Sequence, residues 1–265
     1  MISSMIRTID TSFSRIVLLS VVLTGLLTAC NKQTDIPAPK PMSSLMVYNA
    51  APEFYGLAAR IAISDSTGHL DSLVAAYNTM GSGSGTPDGV GAIAAAHYYK
   101  YAPGPYRVFF TDTSGFTLNA GLLRLPAEAH RTVYLADSLG YFSTIVTDDD
   151  GARTAGSATI RLINLSPDAG PVDLSLDSTA VTGVHEIHYG VTSGWARVPT
   201  TVKSGIRITT SGPAGVLLSR KSFPLEGSHC YTLILRGYIH PPVVEGESES
   251  SRLNKTISLS ALVNQ

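Results

Sequence analysis

Cysteine is nearly absent from this 265-residue chain, which has two, Cys30 and Cys230. With so few, a disulfide framework is excluded as its source of stability. Charge is scarce as well, at 15% of residues, and its signs almost cancel to a net −1. That balance provides neither a nucleic-acid footprint nor a polybasic membrane patch. Also missing is an apolar run of the roughly 20 residues that a stable transmembrane helix needs.

Motifs for catalysis are equally sparse. Gly81-Ser82-Gly83-Ser84-Gly85 puts Gly, not Ser, at the centre of a Gly-x-Ser-x-Gly frame, and no Gly-Lys-Ser/Thr follows to make a phosphate loop. His185-Glu186-Ile187-His188 is not His-Glu-x-x-His, and on a strand histidines three apart face opposite sides. Asp148-Asp149-Asp150-Gly151 lacks the alternating spacing of a calcium loop and reads as a solvated acidic linker. Asp168, Asp173 and Asp177 form a second acidic set, in which Ser166-Pro167-Asp168 is ordinary turn chemistry. Cys230 sits in the strand-like run Cys230-Tyr231-Thr232-Leu233-Ile234-Leu235, the setting of a small buried hydrophobe. No catalytic residue, metal ligand set or cofactor is assigned, and the chain is not expected to be an enzyme.

What the chain does contain begins at its N-terminus. Arg7 and Arg15 precede an apolar stretch from Ile16 to Thr28, the order of a cleavable signal peptide over residues 1–29. The stretch ends in Leu27-Thr28-Ala29-Cys30, which resembles a lipobox and implies a lipid on Cys30 as the membrane anchor. Residues 30–42, with Pro37, Pro39 and Pro41, read as a flexible tether of extended polyproline character. Asn31 rather than Asp follows the Cys, so by the sorting rule the motif implies there is no signal for inner-membrane retention. The expected address is the outer membrane, with its periplasmic and exterior faces both open.

Beyond the tether, short runs of β-formers recur about every ten residues between turn signals: Ser44 to Tyr48, Ala59 to Ile63, Tyr106 to Thr111, Arg131 to Leu135, Ala158 to Asn164, Val172 to Leu176, Ile206 to Thr210, Tyr231 to Leu235 and Thr256 to Leu262. With 24 glycines and 15 prolines, this spacing predicts an all-β chain of sandwiches or barrels. One stretch dissents, because Leu70, Leu73, Val74 and Tyr77 also fit a short helix. The chain repeats itself: Val47-Tyr48-Asn49-Ala50-Ala51-Pro52 parallels Leu162-Ile163-Asn164-Leu165-Ser166-Pro167 at an offset of 115. Pro126-Ala127-Glu128 with Arg131 to Leu135 parallels Pro224-Leu225-Glu226 with His229 to Leu233 at an offset of 98. The difference of 17 asks for an insertion in the first copy, for which Gly81 to Gly89 is the candidate. Two copies follow, at 43–150 and 155–265.

The second copy opens with Ile160-Arg161-Leu162-Ile163-Asn164-Leu165-Ser166-Pro167-Asp168-Ala169 and then Val172-Asp173. This resembles the start of the family called domain of unknown function 4397. Ala102-Pro103-Gly104-Pro105-Tyr106 resembles that family's central Pro-x-Gly-x-Tyr strand, and Tyr231-Thr232 its closing strand. The first copy has Ala51-Pro52-Glu53 in place of Ser-Pro-Asp. The resemblance implies two tandem immunoglobulin-like β-sandwich domains on an exported protein, and no activity travels with it.

Aromatic residues are the remaining lever on function. Tyr98, Tyr99 and Tyr101, with Trp195 in the equivalent region of the second copy, are the candidate ligand contacts, since such rings stack on sugars. The alternative placement for the same rings is the core. The expected role is a noncatalytic binding module of the envelope, its partner a glycan or an envelope protein; the alternative is a structural or assembly component of an envelope complex.

Overall fold

Leu45-Met46-Val47-Tyr48 and Val133-Tyr134-Leu135-Ala136 are continuous apolar runs, which cannot turn one face of a strand to water. Strands built from them need apolar neighbours on both sides. The computed structural model, which describes residues 40–54, 58–65, 68, 70–76 and 94–264, supplies those neighbours. The signal peptide, Leu27, Thr28, Ala29, Cys30 and the Gly81 to Gly89 loop lie outside the described residues. Residues 41–265 form one compact unit.

The first sheet joins β1 (Ser43–Asn49), β5 (Tyr99–Tyr101), β8 (His130–Ser138) and β9 (Tyr141–Asp148) in the order β5-β1-β8-β9, with β1 parallel to β8. The second joins β2 (Ala58–Ser64), β3 (Leu70–Ala76), β6 (Gly104–Thr111) and β7 (Thr117–Leu125) in the order β3-β2-β6-β7. Leu45, Val47, Val133 and Leu135 from one meet Ile61, Ile63, Val108 and Phe110 from the other in a closed core. The stretch from Leu70, which also fits a short helix, is instead β3, antiparallel to β2, with Leu73 buried. A neighbouring strand edge overrides a marginal helical spacing; Tyr77 lies outside the described residues.

The same connectivity recurs. A third sheet holds β10 (Ser157–Leu165), β13 (Ala196–Pro199), β16 (Cys230–Arg236) and β17 (Ser258–Asn264) in the order β13-β10-β16-β17, with β10 parallel to β16. A fourth holds β11 (Val172–Leu176), β12 (Thr179–Ala180), β14 (Thr201–Thr210) and β15 (Leu217–Leu225) in the order β12-β11-β14-β15. Their core includes Ile160, Leu162, Leu174, Ile208, Phe223 and Leu233. Among the described residues each sheet keeps two edges, and the strands are arranged as sandwiches rather than closed barrels.

Strand register corrects one reading of the repeat. Asn49 pairs with Leu135 and Asn164 with Leu235, so the later strands correspond at an offset of 100 rather than 98. Glu128 and Ser228 agree, with φ of 62° and 64° in matching turns. The insertion in the first half is therefore 15 residues, from offsets of 115 at Asn49/Asn164 and 100 at Leu135/Leu235. A slip of two residues preserves every side-chain face, which is why the pattern alone could not detect it.

A third apolar layer lies between the two sandwiches. Met46, Tyr48, Tyr134 and Ala136 on the outer face of β1 and β8 pack against Ile163, Leu165, Ile234 and Leu262 from the third sheet. These side chains leave water completely, and burial of each large one contributes about 1.5–3 kcal/mol. Among the described residues the result is a stack of four sheets with three apolar layers. A short strand, β4 (Ala94–Ala95), reaches from the first half to pair in parallel with β17.

A charged cluster joins Glu53 of the first half to Glu247 and Lys255 of the second. The helix α1 (Glu249–Asn254), capped by Ser248, leads to Lys255, whose Nζ lies 2.8 Å from Glu247 and 3.5 Å from Glu53. The hydrogen bond from Lys255 holds the Glu247 carboxyl below its ordinary range. A carboxyl lowered by folding stabilises above its unfolded pKa, and that contribution disappears as pH falls through the folded value. Acidification through the glutamate range is expected to lower the melting temperature of the wild type more than that of Glu247→Gln; equal acid sensitivity would refute the assignment.

Candidate functional site

The open side of the second sandwich lies between its two edge strands, β12 and β13. From Ile160, paired with Ala196, to Ile163, bridged to Thr192, β10 advances three residues while its partner advances four. The extra residue is a bulge spanning Ser193 to Trp195. Ser193 secures it, since its N–H donates to the Leu162 carbonyl and its Oγ accepts from the Leu162 N–H, at 2.8 and 2.9 Å. Bulges bend an edge strand and re-aim a side chain. Here the re-aimed side chain is Trp195, which is half-buried and forms one wall of a groove.

The groove has a volume of about 600 Å³, within the ordinary range of ligand sites, roughly 300–1,000 Å³. Trp195, Arg197 and Val198 line one side of it, and Asp177, Thr179 and Val181 the other. Asp177 Oδ1 accepts from the Gly205 N–H at 2.7 Å. Arg197 is exposed, and no described residue pairs with it.

Behind Trp195 lies a buried polar network. The Arg161 guanidinium stands 4.3 Å from the Trp195 ring centroid and pairs with Asp149. Arg161 also donates to the Asp148 carbonyl at 2.6 Å, to Thr147 at 3.1 Å and to Thr232 at 2.9 Å. Asp149 accepts in addition from Thr132, Thr147 and Tyr98. Asn264 donates to Tyr98 and accepts from Thr232. The network joins the first half (Tyr98, Thr132, Thr147, Asp149) to the second (Arg161, Thr232, Asn264). The acidic run is thus not a solvated linker: the Asp149 side chain has no exposure, while those of Asp148 and Asp150 are 67% and 58% exposed. Only the central carboxylate reaches Arg161.

The tyrosines with which Trp195 was grouped are not assembled in its groove. Burial pushes the Tyr98 phenol well up, and its hydroxyl donates to Asp149 at 2.8 Å. Tyr99 and Tyr101 pack partly buried on the first core, Tyr101 edge-on to Tyr106 at 5.8 Å. His185 and His188 are exposed on irregular chain between β12 and β13 rather than on a strand. Among the described residues no group of three or more His, Cys, Asp or Glu is placed to hold a metal ion.

Cys230 is buried beneath the same site, and burial raises its thiol. A Cβ on Gly151 would come 2.8 Å from Cys230 Sγ and 3.1 Å from the Trp195 ring, so that glycine lets the chain pass under the indole. Sequence reasoning missed Arg161 and Asp149. The available signal was Arg161 itself, a charge at the centre of an otherwise apolar strand run.

The Asn-x-Ser-Pro-Asp segment proves to be a clamp on the chain after β16. Asn164 Oδ1 accepts from the Ser166 N–H at 3.1 Å, and Ser166 Oγ donates to the Gly237 carbonyl at 2.6 Å. Asp168 accepts from the N–H groups of Ile239 and His240, both at 2.8 Å. In the first half Asn49 makes the corresponding local bond to the Ala51 N–H at 3.0 Å.

Residues 69–175 match the model of the family described as Domain of unknown function (DUF4397). The match runs from β3 into β11, so the Tyr231-Thr232 part of the resemblance lies outside it. No curated protein matches the chain. Among solved structures, a candidate cell adhesion protein from Bacteroides fragilis is 10% identical, with a TM-score of 0.22 and coverage of 80% of this chain and 84% of that one. The C-terminally truncated tip fimbrial protein Mfa3 from Porphyromonas gingivalis is 9% identical, with a TM-score of 0.22 and coverage of 83% and 99%. Among the described residues, no helix is long and apolar enough to cross a membrane.

Proposed function

We propose that this chain is a lipid-anchored protein of the cell envelope, acting as a noncatalytic binding module whose site is the groove between β12 and β13. In this reading Leu27-Thr28-Ala29-Cys30 directs lipidation of Cys30, residues 30–42 form the tether, and 43–150 and 155–265 form the two sandwich domains. The outer membrane is the proposed address. The observation that carries the binding role is the groove itself, about 600 Å³ beside an aromatic ring that a bulge turns toward it. A scaffold with three packed layers holds such a groove open with little reorganisation on binding.

Trp195 is the chain's single tryptophan, so its fluorescence reports this groove alone. Titration of residues 41–265 with glycan and peptide fractions from envelope preparations is expected to give a saturable change in emission. Ala180→Phe, an exposed β12 position on the groove wall, should abolish it while leaving the melting temperature within about 2 °C, since surface changes are usually within about 0.5 kcal/mol. No saturable response from any fraction, or an unchanged response in Ala180→Phe, would dismiss the groove as the site.

A further inference from the structure

We infer that the occupant of this groove is a neutral saccharide rather than an extended peptide; the inference rests on the binding role proposed above. The first argument is the state of the two edges. Thr159 donates its N–H to His229, so alternation along β10 turns Ala158 and Ile160 toward β13. Their partners Val198 and Ala196 are thereby engaged, and Arg197 and Pro199 point away from the sheet. Proline has no N–H to offer, and the bulge interrupts the strand on the other side of Arg197. An incoming peptide strand would find one free N–H on β13. The facing β12 is two residues long. Short length, proline, a bulge and an exposed charge are the features by which sheet edges resist strand addition.

The second argument is the chemistry of the lining. The half-buried Trp195 ring offers apolar surface for the C–H face of a sugar above a floor of the buried Val181 and Val198, while Asp177, Thr179 and Arg197 supply polar groups around it. Asp177 spends Oδ1 on Gly205 and retains Oδ2 as an acceptor. The Arg197 guanidinium is uncommitted among the described residues and supplies donors. One carboxylate and one guanidinium leave these groups with no net charge, which matches hydroxyls and opposes an anionic or cationic ligand.

The test is Trp195 emission of residues 41–265 titrated with three probe sets: neutral oligosaccharides of hexose and N-acetylhexosamine units, uronate oligosaccharides, and β-prone peptides of eight or more residues. At least one neutral oligosaccharide is expected to saturate. Asp177→Asn and Arg197→Gln should each weaken it roughly tenfold, the loss of one hydrogen bond to a charged group. Saturation by peptides alone, or uronates binding more tightly than neutral sugars, overturns the saccharide inference and leaves the groove standing as a site. Silence from all three sets overturns this inference and the groove reading together. Binding of neutral sugars unaffected by both substitutions overturns the assignment of the polar groups.

Discussion

Arg161→Ala is expected to destabilise residues 41–265 by about 3–5 kcal/mol, the usual cost of stripping a buried ion pair of one partner. The reason is the Asp149 carboxylate, which has no exposed side-chain surface and sits at the seam of the two sandwiches. Without Arg161 it would keep three hydroxyl donors, from Tyr98, Thr132 and Thr147, and lose its counter-charge. A urea titration followed by circular dichroism should show a lower midpoint with little change in slope. Trp195 emission should shift in the folded state as well, because the guanidinium beside its ring is gone. The double variant Asp149→Ala/Arg161→Ala should be less destabilised than the sum of the single changes. Additive losses, or a loss below about 1 kcal/mol for Arg161→Ala, would show that the pair does not couple the halves.

Gly237→Ala is expected to rank second. Gly237 has φ of 82°, and a Cβ there would come 2.7 Å from the Lys255 carbonyl oxygen and nearer still to that of Thr256. Left-handed backbone in a residue with a Cβ costs about 1–2 kcal/mol, and overpacking against groups that cannot rotate away about 1–3 kcal/mol. The combined loss of roughly 2–5 kcal/mol separates from the conformational part alone through Gly183→Ala. That glycine has φ of 81° with nothing within 4 Å of its Cβ, so it should lose only about 1–2 kcal/mol. Equal midpoints for the two variants would mean that the 237–240 loop simply moves. That outcome would also weaken the clamp from Ser166 and Asp168, which fixes the loop through Gly237, Ile239 and His240.

Both predictions concern contacts between residues far apart in the chain. Legibility in the sequence divides along that line. The nine runs of β-formers fall on β1, β2, β6, β8, β10, β11, β14, β16 and β17, which are the interior strands of the four sheets. The strands that the runs leave out, such as β7, β9, β13 and β15, are sheet edges. Gly121 in β7, Pro199 in β13 and Pro224 in β15 show why: an edge tolerates residues that an interior ladder rejects, and they erase the pattern. The burial of Cys230 was legible too, because its neighbours in the sequence are its neighbours in the strand.

The all-β character, the nine runs that become interior strands and the turn at Ser166-Pro167-Asp168 are legible in the chain alone, since each depends on a residue and those adjoining it. Tertiary structure decided the rest. A continuous apolar run says that both faces of a strand are covered but not by what; the cover for β1 and β8 is the other sandwich. Three consecutive aspartates look alike until one is aimed at Arg161. The bulge that turns Trp195 into its groove is a mismatch in count between two strands that meet only after folding, and a pairing count has no counterpart in either segment alone.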